Sequence, residues 1–388
     1  MRSPWQSLVS WCVWSGTIIG LFGCSGHANG SEKRPAPRFA MDAGGAPATI
    51  TDRWRIQFPA DHPAGIVTAL ARCGGMAFVA DVRADAIYRV DLARGEVLGR
   101  VGRPDEFVEP HTVVADCAAD RLYVVAWRAV VVYRMSDGTL VRTYALPPVV
   151  SIRGGTATLT RDHRALYVSA LWEPARGFSR TYPQNALFKG AKLGLRLSLD
   201  DGKTESMVDP VDLGCRGYAE GCWNVSFSVA ESGQNARWLV SQGLSERLAV
   251  YEAGTPEHRV VDITSPLFIN DGRPLPRGAG PDAQREWSVN NSSVDSVMPF
   301  GSVIATIHSH INPPKGSAGA LPQFSVFMNL HALDGTPLVS DIRLPDFPKG
   351  RDDESLYAVD YGEGGRRDAS KTVDIVRIVP SRKAFGSR

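Results

Sequence analysis

The chain has 388 residues, 43% of them hydrophobic and 22% charged, with 38 glycines and 26 prolines. That composition supports a sizeable core and excludes wholesale disorder, and the abundance of Gly and Pro suits a fold with many tight turns. Forty-three basic residues against 41 acidic ones give a formal charge of +2, so there is no electrostatic footprint for nucleic acid, and none is expected as a partner.

In chain order the first element is an address. Arg2 precedes an apolar run from Leu8 to Gly23 that no charged side chain interrupts. The run is shorter than the ~20 residues a bilayer-spanning helix needs, which reads as a signal peptide over residues 1–23. It ends in Leu21-Phe22-Gly23-Cys24, which resembles a bacterial lipobox. That resemblance implies diacylglyceryl modification of Cys24, and Ser25 in place of Asp favours the outer over the inner membrane. The expected location is the bacterial cell envelope, periplasmic or surface-facing. Residues 24–49, rich in Gly, Ala, Pro and Ser without apolar period, read as a flexible tether.

From residue 50 to 380 the recurring signal is a unit of four short runs rich in β-branched and aromatic residues, separated by turn residues. The first unit has runs at 65–70, 76–81, 86–91 and 96–101, and the second at 111–115, 122–126, 130–135 and 140–144. Tyr88-Arg89 maps onto Tyr133-Arg134, a spacing of 45 residues by subtraction, the length of one propeller blade. The third unit reads as 156–160, 165–170, 193–198 and 204–208. The fourth reads as 224–230, 237–241, 248–252 and 258–263, and the fifth as 292–298, 302–308, 324–330 and 338–344. A sixth shows only Ser355–Asp360 and Thr372–Val379 clearly. Ile50–Phe58 is strand-like without partners of its own, so it is expected to complete the last unit and close the ring. The expected fold is therefore an all-β, six-bladed β-propeller closed by an N-terminal strand, with five or seven blades as the alternative counts and residues 381–388 as a C-terminal tail. No long helical period is evident after residue 50.

Strand alternation sorts the connections onto two faces. Turns from first to second and third to fourth strands are short. Second-to-third connections (Trp172–Asn185, Ile311–Gln323, Tyr361–Lys371) and blade-to-blade connections (Asp209–Cys222, Ser265–Asn290) carry the insertions. One face thus gathers the long loops, where binding usually sits. Candidate binding residues on that face are His111, Arg153, Trp223 and Asn291 at inner-strand entrances. Trp172, His308, His310, Arg351, Asp360 and Tyr361 lie at second-strand ends or in adjoining loops.

Four cysteines besides Cys24 and the signal-peptide Cys12 allow two disulfides in an oxidising compartment: Cys215–Cys222 across a short loop, and Cys73–Cys117 between equivalent points of successive repeats. His308 and His310 lie on one side of a strand and with Asp360 could hold a divalent metal, the one cofactor the pattern leaves room for; no metal ligand set is assigned. No Gly-x-Ser-x-Gly elbow, phosphate loop or His-Glu-x-x-His run occurs. Leu166-Tyr-Val-Ser, Leu122-Tyr-Val-Val and Met76-Ala-Phe-Val-Ala-Asp81 resemble the NHL and six-bladed TolB-like propeller families, and with the lipobox the chain looks like bacterial lipoproteins of that architecture. Two functions follow as expectations. One is a lipid-anchored propeller binding a protein, peptide or glycan through its long-loop face. The alternative is a metal-assisted hydrolase or lyase centred at the axial mouth.

Overall fold

Both faces of most central strands are apolar, and that decides how the sheets are used. In Arg121–Ala126 the side chains of Leu122, Val124 and Ala126 enter one apolar cluster, while Tyr123 and Val125 enter another. A strand buried on both sides needs a neighbouring sheet on each, and repetition of that demand closes a ring. The computed structural model describes residues 48–380 apart from 104, 148–150, 153–156, 173–191, 210, 212, 215–224, 233–234, 253, 264, 271–272, 274–278, 301–302, 313–322 and 362–370.

Among the described residues the strands form five hydrogen-bonded sheets, one of eight strands, one of five and three of four, and the eight-stranded one divides at a single parallel pair, Gln57↔Glu96, into two units of four. The N-terminal strand is β1 (Ala48–Gln57). The first unit comprises β2 (Val67–Cys73), β3 (Met76–Asp81), β4 (Ala86–Asp91) and β5 (Glu96–Val101), and the second β6 (Thr112–Asp116), β7 (Arg121–Ala126), β8 (Ala129–Arg134) and β9 (Leu140–Ala145). In the third the inner strand is split into β10 (Ser151–Ile152) and β11 (Thr158–Leu159), both paired to β12 (Ala165–Trp172), with β13 (Lys192–Ser198) and β14 (Thr204–Val208) outside. The fourth is β15 (Val225–Ser232), β16 (Asn235–Gln242), β17 (Arg247–Glu252) and β18 (His258–Asp262). A helix, α1 (Pro281–Val289), precedes the fifth: β19 (Ser293–Phe300), β20 (Val303–Asn312), β21 (Gln323–Ala332) and β22 (Pro337–Leu344). The last unit runs β23 (Pro348–Arg351), β24 (Leu356–Asp360), β25 (Thr372–Pro380) and then β1.

β1 lies antiparallel to β25 over nine paired positions, from Ala48↔Pro380 to Gln57↔Thr372. The N-terminal strand thus completes the last unit, as the unpartnered run at 50–58 predicts, although it starts at Ala48, inside the expected tether. Arg53 and Arg55 both bond Asp374 of β25, at 2.8 and 3.0 Å, which charges and pins the closing seam. Six apolar clusters lie one between each pair of neighbouring units, including the pair formed by the last unit and the first. These clusters make the ring, a β-propeller.

One insertion holds an element of its own, and one expected strand needs correcting. The 265–290 insertion contains a helix of nine residues, with Pro281 and Asp282 in its first turn; two and a half turns are too few for a helical period to stand out. The third inner strand is two short pieces flanking residues 153–156, where one run at 156–160 is expected.

Cys73 at the end of β2 and Cys117 just after β6 are disulfide-bonded, with Cα atoms 5.7 Å apart. The bridge shows that these two inner strands end on the same side, and for its 44-residue separation chain-entropy arguments give roughly 4 kcal/mol. The other expected pair, Cys215 and Cys222, lies outside the described residues, as does Cys24.

Candidate functional site

The strands set the two faces. Inner strands start, and second strands end, on the face that receives the long connections. On that face a cleft of about 340 Å³ is lined by Leu213, Gly214, Leu244, Ser245, Glu246, Arg247, Asp262 and Asn270. Its floor is the hairpin between β16 and β17. Gln242 shapes one wall: its Oε1 accepts from the Leu213 N–H at 3.0 Å and its Nε2 donates to the Val211 carbonyl at 3.0 Å. Ser245 Oγ donates to the Leu213 carbonyl at 2.6 Å. The Arg247 guanidinium faces Asp262 at 3.4 Å, and burial pushes the Glu246 carboxyl up from its ordinary range. The cleft is therefore lined by both charge signs and the Asn270 amide, on walls whose own polar groups are bonded internally, which suits a polar partner rather than an apolar one. The adjoining segment closes against α1: Asn291 Nδ2 donates to the Trp287 carbonyl at 2.9 Å, and Asn270 bridges Asn291.

The two histidines lie toward the end of the second strand of the fifth unit, as expected, but not at the axis. His308 and His310 share a side of β20, as their spacing predicts, and flank the Phe327 ring with centroids 5.3 and 5.6 Å away. That side is also the side of Ile304, which packs into the cluster between the fourth and fifth units. Second-strand side chains point at neighbouring sheets; only the inner edge of an inner strand borders the axis. The pair therefore sits in an interblade interface and not at an axial mouth. Asp360 is not with it. Its carboxylate meets Arg53 at 3.2 Å in the last unit. Among the described residues no three His, Cys, Asp or Glu side chains gather to hold a metal, so the grouping of His308, His310 and Asp360 is not formed.

Ser265, His308 and Asp341 do meet, and their residue types resemble a hydrolase triad. The geometry differs. Ser265 Oγ lies 3.3 Å from His308 Nε2 but donates to Asp341, whose carboxylate is 3.7 Å from that same ring nitrogen. A working triad needs the carboxylate on the other nitrogen and the serine proton directed to the ring. Ser265 also accepts from the Leu267 N–H at 3.2 Å, which makes it a turn-forming residue. Burial drives His308 down to about 4, with His310 adding to the effect, so the ring is neutral at pH 7.

The remaining expected residues are spread over several units, and two lie outside the described residues. His111 is buried ahead of β6, its N–H bonded to the Val125 carbonyl at 2.9 Å and its ring 5.7 Å from that of Trp127. Tyr361 OH accepts from the Val67 N–H at 2.7 Å, tying the last unit to the first. Trp172 ends β12 opposite Lys192. Arg153 and Trp223 are outside the described residues. Arg351 is displaced from its expected face: it ends the inner strand β23, on the short-turn side. The cleft residues Glu246, Arg247 and Asp262 are absent from the sequence-derived candidates because they sit on a short hairpin and a strand end, where loop length gives no signal.

No family model matches the chain, and no curated protein matches its sequence. Solved structures with related folds include an exported protein from Bacteroides fragilis NCTC 9343, 10% identical over 87% of this chain and 96% of that one, TM-score 0.48. A chain of a mitotic checkpoint complex is 13% identical over 93% and 99% of the two chains, TM-score 0.45. The Cps50 (Swd1) β-propeller domain of Myceliophteria thermophila is 11% identical over 85% and 99%, TM-score 0.43. At this similarity the function has to be read from the chain itself.

Proposed function

We propose that the chain is a lipid-anchored propeller of the bacterial cell envelope, of the NHL or TolB-like kind, that binds a protein, peptide or glycan partner through its long-loop face. The observation that carries this reading is the polar cleft beside Glu246, Arg247 and Asn270 on the face to which the insertions connect. A rigid ring with an elaborated rim is a recognition scaffold, and a two-signed polar lining favours partners rich in hydrogen-bonding groups. The Ser265–His308–Asp341 geometry lends the hydrolase alternative no support.

The test is a photo-crosslinking amino acid at Asn270, which is exposed in the cleft, and in parallel at Thr139, exposed on a short turn of the opposite face. A discrete adduct from Asn270 alone is expected in cells expressing the full chain. Adducts of equal yield from both positions, or from Thr139 alone, would remove the long-loop face from the function. The anchor has its own check. The full chain should sediment with membranes and need detergent for release, whereas Cys24→Ser should shift most of it to the soluble fraction, because acyl chains contribute about 0.8 kcal/mol per buried CH₂. Unchanged sedimentation of Cys24→Ser would exclude lipidation as the anchor.

A further inference from the structure

A second cavity lies on the propeller axis, at the opposite end from the cleft. About 320 Å³ in volume, it is lined by Leu70–Arg72, Val113–Ala115 and Cys117, Ala157–Leu159 and Gly350–Asp353. These are C-terminal parts of the inner strands β2, β6, β11 and β23, so the cavity opens on the short-turn side. Each of these strands pairs with its own unit along one edge only; the other edge turns backbone donors and acceptors toward the axis. The Cys73–Cys117 bridge holds the rim between the first two units.

Arg351 crosses this space. It belongs to the last unit, and its Nη2 donates at 2.7 Å to Thr158 Oγ1 of the third. In a ring of six, those units are opposite each other, so the guanidinium lies across the axis. A guanidinium has five N–H donors, and no carboxylate among the described residues lies within ion-pairing distance of this one. Arg72, the other cation of the lining, is engaged: it donates to the Gly74 carbonyl at 2.8 Å and to Tyr357 OH at 3.1 Å, and lies over the Trp54 ring. Asp352 is engaged as well, accepting from the Glu354 and Ser355 N–H groups and from Tyr357 OH. Asp353 is exposed at the mouth. Burial lowers Arg351 to about 10, which leaves it charged at neutral pH, and the Asp353 carboxylate acts on it through space in the opposite direction. A half-buried cation with unused donors is a seat for an anion.

The charge pattern selects the anion. One positive charge lies inside and one negative charge at the mouth. A dianion would meet an uncompensated excess of negative charge, whereas a carboxylate with its own cation matches both ends. We propose that the axial pocket binds a small zwitterionic carboxylate, of the amino-acid or betaine class, with its carboxylate on the Arg351 fork and its cation toward Asp353. This site is separate from the partner-binding cleft and stands or falls independently of it.

Isothermal titration of the full chain carrying Cys24→Ser would use the protein amino acids and glycine betaine as zwitterions, acetate as a monoanion, and succinate and inorganic phosphate as dianions. Saturable binding of at least one zwitterion is expected, weakened about tenfold or more in Arg351→Met. Asp353→Asn, at an exposed position that keeps the fold even if Arg351→Met does not, should weaken the zwitterion several-fold and leave acetate unchanged or tighter. The proposal is overturned if no zwitterion binds, if Asp353→Asn leaves zwitterion affinity unaltered, or if succinate or phosphate binds more tightly than every zwitterion.

Discussion

Stability toward urea should fall steeply as pH is lowered from 7 toward 4.5. His111, His308 and His331 are 1%, 2% and 1% exposed, and burial lowers each from 6.5 to about 4; burial moves His310 in the same direction. The unfolded chain takes up these protons near pH 6.5, while the folded chain resists until about 4. Between those values the unfolded state holds more protons, so folding free energy is lost as pH falls. Each of the three contributes roughly 3 kcal/mol across the window, and together roughly 10 kcal/mol, as large as the whole stability of a typical domain. Glu246 and Asp341, whose carboxyls burial raises, act in the other direction: the folded state protonates them first and recovers part of the loss. Three of the histidines, 308, 310 and 331, lie on one face of the fifth unit. Among the described residues the apolar cluster there, against the fourth unit, has seven buried members, where the seam between the last unit and the first has sixteen. That interface should therefore open first. Urea midpoints at pH 7.5, 6 and 5 provide the measurement, and His308→Gln with His331→Gln should flatten the slope. Equal midpoints at pH 7.5 and 5 would contradict the argument.

The units of the ring are legible in the sequence wherever both faces of a strand are apolar. Leu122 to Ala126 reads as a continuous apolar run because its side chains serve two interblade clusters. β23 is illegible for the opposite reason. Its four residues, Pro-Lys-Gly-Arg, carry no β-branched or aromatic side chain, and at Gly350 the backbone of β2 stands where a side chain would be. Missing that strand also reverses the face assigned to Arg351, because each strand added or lost exchanges the two ends of a meander. Period-two alternation places His308 and His310 on a common side, but only the ring shows that this side faces another sheet. Glu246 and Arg247 escape because a hairpin of a few residues looks the same whether or not a cleft lies above it.

Gly350→Ala should be among the most damaging single substitutions in the chain, costing about 3–5 kcal/mol. A Cβ built on Gly350 would stand 2.8 Å from the Leu70 carbonyl carbon and closer still to its oxygen. The obstruction is backbone, which cannot rotate away as a side chain can. It belongs to β2, so β23 would have to back off from the first unit at the seam where the ring closes. Beyond that seam Tyr361 holds the Val67 N–H, and Ile56, Tyr88 and Tyr357 fill the shared cluster. A separation of β23 from β2 therefore propagates into the interface that joins the last unit to the first. Gly75→Ala is the matched control, since an added Cβ there meets nothing within 4 Å and the backbone is not left-handed; a change within about 0.5 kcal/mol is expected. Urea denaturation of the two variants beside the parent decides the matter, and equal midpoints for Gly350→Ala and Gly75→Ala would mean that the inner strands can part at the seam without loss.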